Sequence, residues 1–179
     1  MVEKEAFAAS IIRIFDIDLG VVRLARMLTD HEISSTRNPD IIFRGNTVVT
    51  KTMDVLMKMA GHSYLCWVLS PILCTLCHEK NPKPVELDPT RMSKGEDPEK
   101  NLARLVSLCS ALLDRIFRSV NECPAIIKIA LSNIQTKVKQ SYSAKEIEVV
   151  QYISVSAFIF LRFFGPAILN PKLFGIVGE

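Results

Sequence analysis

The sequence predicts an all-α fold built from antiparallel helices, and three observations support that fold class. Apolar residues recur at helical spacing in nearly every segment. No segment shows sustained alternation of apolar and polar residues, and no Asn-Gly or Asp-Gly pair marks a hairpin turn. The chain has 179 residues, of which 49% are apolar and 23% charged. These numbers suit one globular domain, and we take residues 1–179 as that domain.

Two helices are predicted before the first break in the pattern. Residues 3–15 and residues 20–33 each place their apolar side chains on one stripe. The stretch SSTRNPD, residues 34–40, is rich in turn formers and ends the second helix.

Two further helices are predicted before residue 79. The third begins near Asn46 or Thr47, because either side chain can accept a hydrogen bond from the first free amides of a helix. It ends at Gly61, which is a common stop signal. Residues 62–78 form the fourth helix, which Pro71 kinks or divides.

The second half of the chain begins with a loop and continues with three helices. Residues 79–98 hold four prolines and many charges, as is typical of a surface loop. Helices follow at 98–121 and 124–141, with Pro124 placed to open the second of them. The last predicted helix spans residues 143–164.

Net charge, the N-terminal residues and the cysteine count limit the classes of function that fit this chain. The net charge of +3 is too small to indicate nucleic-acid binding by itself, and it fits a modest basic patch that faces an acidic partner. The N-terminus lacks the basic and long apolar regions of a secretory signal. Five cysteines, an odd number, fit reduced thiols. We therefore expect a cytoplasmic protein.

One short motif matches a cofactor-binding pattern. Residues 74–78, CTLCH, have the C-x-x-C-H spacing of covalent haem attachment. That chemistry takes place outside the cytosol, and both cysteines share an apolar helix face, so we interpret them as buried core thiols. A zinc site would need further paired ligands, and the sequence has no second C-x-x-C. No P-loop or G-x-G-x-x-G is present either, so we expect no metal or nucleotide site in the chain.

Residues 149–169 are apolar enough to raise the question of a membrane-spanning helix. Polar residues and Pro166 interrupt the stretch, and Arg162 would cost about 2.5–3.5 kcal/mol at the centre of such a helix. A buried helix of a globular core is the better interpretation.

Two arginines each have a structural and a functional interpretation. Arg162, near the end of the most apolar helix, either extends its head to water or donates to loop carbonyls and fixes that loop. Arg44, beside Gly45 in a loop, is either an ordinary solvated arginine or a cation offered to another protein's anion. Residue types alone leave both pairs of alternatives open.

Two segments resemble a known family. Residues 41–51, IIFRGNTVVTK, are similar to the finger loop of Ras GTPase-activating proteins. Residues 160–171, FLRFFGPAILNP, resemble that family's signature, F-L-R-x-x-x-P-A-I-x-x-P, which is the more specific of the two matches. The order of the motifs matches, and the resemblance extends over residues 11–174. It implies an all-α domain of the RasGAP type that is truncated on its C-terminal side.

The resemblance implies a function and a partner. The chain would stimulate GTP hydrolysis by a Ras-family small GTPase in its GTP-bound state, with Arg44 as an arginine finger inserted in trans and Arg162 bracing the finger loop. It would be a GTPase activator rather than an enzyme with its own reaction, and its partner would hold GTP and Mg²⁺. The alternative is a GTPase-binding module of the same fold without stimulating activity.

The resemblance also implies a contact surface and a setting. No nucleic acid or transmembrane segment is expected, and recruitment to the inner face of the plasma membrane would depend on domains outside this chain. Further residues fall on positions that meet the GTPase, and these are Phe43, Gly45, Asn46, Thr47, Leu161, Pro166, Ala167, Asn170, Pro171 and Lys172.

Two positions depart from the usual family pattern. Val48-Val49-Thr50 stands where many relatives have Leu-Ala-Ser or Leu-Ala-Thr, and we expect the helix to form there despite the stiff valine side chains. Gly165 stands where many relatives have a larger residue, and we expect the last helix to end sharply there.

Overall fold

The computed structural model describes residues 7, 10, 20–36, 38, 41–78 and 85–178, and no strand occurs among them. The all-α prediction is therefore confirmed. The helices are, in chain order, α1 (Gly20–Ser35), α2 (Val48–Cys77), α3 (Pro98–Arg118), α4 (Ala125–Ser141), α5 (Ala144–Phe158) and α6 (Gly165–Leu169). A 3-10 turn, Val120–Glu122, follows α3, and a π-helical segment, Ile159–Phe164, joins α5 to α6. The predicted helix 3–15 lies outside the described residues, apart from Phe7 and Ser10, which are both helical.

The helices surround one apolar core. α1 packs on α2 and α4, α4 packs on α5, and α2 also contacts α3, the π segment and α6. Tyr142, just after α4, donates its hydroxyl to the carbonyl of Thr36 at 3.2 Å and joins the ends of α4 and α1. The largest fully buried side chains come from α1, the residues just before α2, α2, α4, α5 and the π segment, and they include Phe43, Met53, Leu65, Ile134, Phe158 and Phe163.

The third and fourth predicted helices are one helix, α2, and the expectation that Gly61 ends a helix is wrong. Gly61 instead allows close packing. A Cβ at this position would lie 2.5 Å from Cζ of Phe163 and 2.8 Å from Cδ1 of Ile127. The glycine therefore lets α4 and the π segment approach the backbone of α2.

Pro71 lies inside α2 without ending it. Because proline has no N–H, it removes the helical hydrogen bond that the carbonyl of Trp67 would accept. Arg115 of α3 supplies a substitute: its Nη2 donates to the Trp67 carbonyl at 3.1 Å, and its Nε donates to the Val68 carbonyl at 2.8 Å. A hydrogen bond from another helix thus replaces the one that Pro71 cannot donate.

Most predicted helix boundaries are confirmed, but the last helix continues further than expected. Pro98 opens α3 after the N-cap Asp97, and Pro124 immediately precedes α4. The expectation that the last helix ends at Gly165 is wrong, since this residue is helical and donates its N–H to the carbonyl of Phe160. Pro166 is the second residue of α6, and because it has no N–H it interrupts the helical hydrogen bonds at the point where the π segment gives way to α6.

Among the described residues, two helices are long and apolar enough to span a membrane by length and composition, namely α2 and the continuous stretch Ala144–Leu169. Each contributes buried residues to the common core. Asp54 of the first pairs with Arg162 of the second at 3.1 Å. Packing and charge pairing between them favour the interpretation of both as core helices.

Replacing Gly61 by valine is expected to lower the free energy of unfolding by about 1–3 kcal/mol, because the added atoms overlap Phe163 and Ile127 in a filled core. Urea unfolding followed by circular dichroism measures this loss. Met59→Val is the matched control, since Met59 lies on the same helix and is 49% exposed. Equal stabilities of the two variants would contradict the close-packing role.

Candidate functional site

The Arg44 loop, residues 41–47, connects α1 to α2 and turns sharply at Phe43. Phe43 has a positive φ of 58°, which is unusual for an aromatic residue and costs on the order of 1–3 kcal/mol. Its ring is buried and packs against Phe158, with 4.8 Å between ring centroids. The amide of Arg44 donates to the carbonyl of Ile41 at 3.1 Å. The turn therefore directs Phe43 into the core and leaves Arg44 exposed.

The far end of the loop is fixed by a capping box at the start of α2. Of the two candidates that the sequence offered, Asn46 and Thr47, the N-cap is Thr47, and its hydroxyl accepts from the amide of Thr50 at 3.1 Å. The Thr50 hydroxyl accepts from the amide of Thr47 at 3.0 Å and lies 2.8 Å from the carbonyl oxygen of Gly45. The T-x-x-T pattern at 47–50 resembles the S/T-x-x-E/Q capping signature, so the role of Thr50 had a weak sequence signal.

Arg162 reaches across the molecule to the carbonyls on both sides of Arg44. Its Nε donates to the Phe43 carbonyl at 3.2 Å, and its Nη2 donates to the carbonyls of Phe43 at 3.0 Å and Gly45 at 2.7 Å. The side chain is 12% exposed. Of the two interpretations left open by the sequence, the structure thus shows the buried guanidinium that donates to loop carbonyls.

The π-helical segment determines which way Arg162 faces. π turns occur as short pieces inside α-helices and shift the register of the residues that follow. Within this segment Leu161 is exposed, Phe163 and Phe164 are buried, and Arg162 lies against the Arg44 loop. This one segment thus places Phe163 and Phe164 in the core, Arg162 against the loop and Leu161 at the surface.

Asp54 completes the arrangement from α2. Its Oδ2 accepts from Nη1 of Arg162 at 3.1 Å, and its side chain is 15% exposed. Burial raises the pKa of the Asp54 carboxyl, and this effect outweighs Arg162, Lys51 and Lys58, which favour the charged form. Asp54 is not among the residues predicted from the sequence, where its only signal is an acidic residue within an apolar stretch.

The predicted site residues line an open depression and its surroundings. The depression has a volume of about 500 Å³ and is lined by Phe43, Arg44, Leu161 and Arg162. Leu161 is 62% exposed. Of the other predicted contact residues, Gly45, Asn46, Asn170 and Lys172 are exposed, and Thr47, Pro166 and Pro171 are partly buried.

Two predicted contact residues have buried side chains. Phe43 and Ala167 are 1% and 0% exposed, so only their main chain is available to a partner. Phe43 instead anchors the loop from below. Two residues that the sequence analysis did not single out, Leu169 and Leu173, are 80% and 82% exposed in the segment that follows the π turn. An exposed leucine has no distinct signal in a sequence whose core is also rich in leucine.

A second cavity of about 330 Å³ lies between α2, α3, α4 and the π segment. Its lining is largely apolar and includes Cys123. Burial raises the pKa of the Cys123 thiol, which disfavours the nucleophilic thiolate. This cavity therefore offers packing surface rather than reactive groups.

The C-x-x-C-H motif has a structural explanation at the end of α2. His78 is the C-cap, and its Nδ1 lies 2.8 Å from the Cys74 carbonyl oxygen. The thiol of Cys74 donates to the carbonyl of Ile176 at 3.5 Å. Cys77 is exposed, so the expectation of a buried thiol is wrong for this residue. Within the part of the chain that the structure describes, no three His, Cys, Asp or Glu side chains are grouped as a metal site would require.

A match to known proteins covers all residues of the site. The family model described as GTPase-activator protein for Ras-like GTPase matches residues 24–100 and 93–179. This chain belongs to the RasGAP family. Both the Arg44 loop and the segment that carries Arg162 lie inside the matched residues of this RasGAP chain.

Curated relatives agree with the RasGAP assignment. The chain is 44% identical over 176 residues to a probable Ras GTPase-activating-like protein, ngap, of Dictyostelium discoideum. It is 35% identical over 176 residues to a GTPase-activating protein of Drosophila melanogaster, and 34% identical over 172 residues to Ras GTPase-activating protein 3 of Bos taurus. These alignments cover 98%, 98% and 96% of the chain but 20%, 15% and 20% of the relatives. The chain therefore spans a fifth or less of the length of these relatives.

Replacing Arg162 by methionine is expected to lower the free energy of unfolding by about 3–5 kcal/mol, because it leaves Asp54 buried without its charged partner. Chemical denaturation measures the loss. Arg118→Met is the matched control, since Arg118 pairs with Asp114 on the surface and is 79% exposed. The control is expected to change stability by less than about 1 kcal/mol. A similar loss in both variants would show that the buried Arg162–Asp54 pair contributes no more to stability than a surface ion pair.

Proposed function

We propose that this chain stimulates GTP hydrolysis by a Ras-type small GTPase in its GTP-bound state, and that Arg44 is the residue it inserts into the partner's active site. The observation that carries the proposal is the pair of carbonyls held by Arg162, because they belong to the residues immediately before and after Arg44. Membership of the RasGAP family supports the class of partner. The chain acts as an accessory, since GTP and Mg²⁺ belong to the GTPase.

The chemistry explains why an arginine is needed. As the bond to the γ-phosphate breaks, negative charge spreads over the phosphate oxygens, and a planar guanidinium can pair with two of them at once. An arginine supplied in trans accelerates hydrolysis about 10³–10⁵-fold. Arg44 is exposed at the sharp turn of its loop, where its side chain is free of the core.

A fixed loop makes the cation effective. Positioning supplies a large part of such catalysis, and a displacement of about 1 Å can cost about a hundredfold in rate. Arg162 binds the carbonyls of Phe43 and Gly45, and it does not bind that of Arg44. In our proposal the Arg44 carbonyl faces the partner's water-positioning glutamine.

The surface around the loop is suited to a phosphate-bearing partner. Leu161 is exposed beside Arg44 and offers apolar contact, and Lys172 is an exposed cation that follows the signature motif. Exposed cations near the entry site steer a partner whose nucleotide is anionic. We propose that the switch regions of the GTPase occupy this surface.

Replacing Arg44 by alanine is expected to lower the stimulated rate of GTP hydrolysis about 10³-fold or more while binding of the GTPase stays measurable. The reason is that alanine removes the charge at the phosphates but leaves the loop and the exposed Leu161 in place. A single-turnover assay on a panel of GTP-loaded Ras-type GTPases measures the rate.

Arg26→Ala is the matched control, since the Arg26 side chain is 65% exposed on α1 and outside the proposed surface. The control is expected to keep the stimulated rate of the unaltered chain. Undiminished stimulation by the Arg44→Ala variant would refute the finger role. Binding of a GTPase without any stimulation by the unaltered chain would favour the non-stimulating module.

A further inference from the structure

We infer that Asp54 is a positioning residue for Arg44, because its carboxylate holds the Arg162 guanidinium in the orientation that grips the Arg44 loop. This inference rests on the proposed function. It adds a third residue to the pair of arginines and assigns the control of loop position to a carboxylate on α2.

The hydrogen bonds of Arg162 divide into two sets. Nε and Nη2 donate to the loop, at the carbonyls of Phe43 and Gly45. Nη1 donates to Asp54 Oδ2 at 3.1 Å. Because a guanidinium is planar and rigid, fixing the Nη1 edge also fixes the direction of the other edge. Asp54 therefore restricts the direction of the guanidinium edge that faces the loop.

The environment of Asp54 argues against a role in stability alone. Its Oδ1 is buried and has no hydrogen-bond partner among the described residues. A buried carboxylate with one unsatisfied oxygen opposes folding, and well-packed apolar side chains could replace an ion pair at no loss of stability. The retained charge is explained if its benefit lies in the direction it imposes on Arg162.

The position of Asp54 links the loop to the helix that follows it. α2 begins at the N-cap Thr47, where the Arg44 loop ends, and Asp54 lies about two turns further along the same helix. The loop is thus bound to α2 twice, once through the capping box and once through Arg162 and Asp54. Without the carboxylate, Nη1 would turn to water, and one loop carbonyl would lose its donor.

The test measures the rate at saturating GTPase separately from the GTPase concentration that gives half-maximal stimulation. Asp54→Ala is expected to lower the saturating rate about tenfold or more and to leave the half-maximal concentration unchanged, because the finger is present but misplaced. Asp54→Asn is expected to lose less, since its amide oxygen still accepts a hydrogen bond from Nη1. It also keeps the shape of the side chain, so it remains informative if the alanine variant folds poorly.

Two further readouts separate positioning from a general structural effect. When Arg162 is already alanine, the Asp54→Ala change should lower the rate no further, because Asp54 acts through that guanidinium. In hydrogen exchange of the chain alone, the amides of Arg44 and Thr47 should exchange faster in both Asp54 variants. Asp114→Ala is the control, since the Asp114 side chain is 56% exposed and pairs with Arg118.

The outcomes distinguish this inference from the proposed function. If the unaltered chain stimulates and Asp54→Ala and Asp54→Asn both match it in rate, the positioning role is wrong and the proposed function stands. A full additional loss in the Arg162→Ala background would also overturn the inference. If the unaltered chain stimulates no GTPase, the proposed function fails. Unchanged exchange at Arg44 and Thr47 would then overturn the loop-holding step as well.

Discussion

The structure of the site depends on one buried guanidinium. Arg162 donates to two carbonyls of the Arg44 loop and to one carboxylate of α2, although more than 100 residues separate it from each of them. A cation in this position is stable only if its donors are satisfied, and here the acceptors are loop carbonyls that no helix uses. The requirement therefore acts in both directions: the core keeps the charge because the loop satisfies it, and the loop keeps its shape because the charge is there.

The same solution occurs a second time in the molecule. Pro71 frees the carbonyl of Trp67 inside α2, and Arg115 donates to it from α3. In both places an irregular backbone exposes acceptors, and an arginine from a distant helix supplies the donors. The planar fork of arginine suits this task because it can satisfy neighbouring carbonyls at once, which a lysine ammonium does less well. The two contacts hold α2 to its neighbours at Asp54, near its start, and at Trp67 and Val68, beyond its midpoint.

α2 is in contact with every part of the site. Its N-terminus caps the Arg44 loop, Asp54 pairs with Arg162, and Gly61 admits the ring of Phe163 from the π segment. The π segment in turn carries Arg162 and Leu161. A chain assembled in this way couples the position of an exposed cation to the packing of its core, because neither the loop nor the π segment can move without disturbing α2.

The sequence by itself determined the fold class and most helix boundaries and pointed to Arg44 and Arg162 through a family resemblance, because helical periodicity, capping residues and a specific signature are local features. It did not determine the length of α2. Gly61 and Pro71 are stop signals in isolation, and only packing against Phe163 and a donor from Arg115 allow the helix to pass through them. It also did not reveal Asp54 or the burial of Phe43 and Ala167. Those depend on which distant groups meet, and in this protein the tertiary structure decides that through the hydrogen-bond demands of one charge in the core.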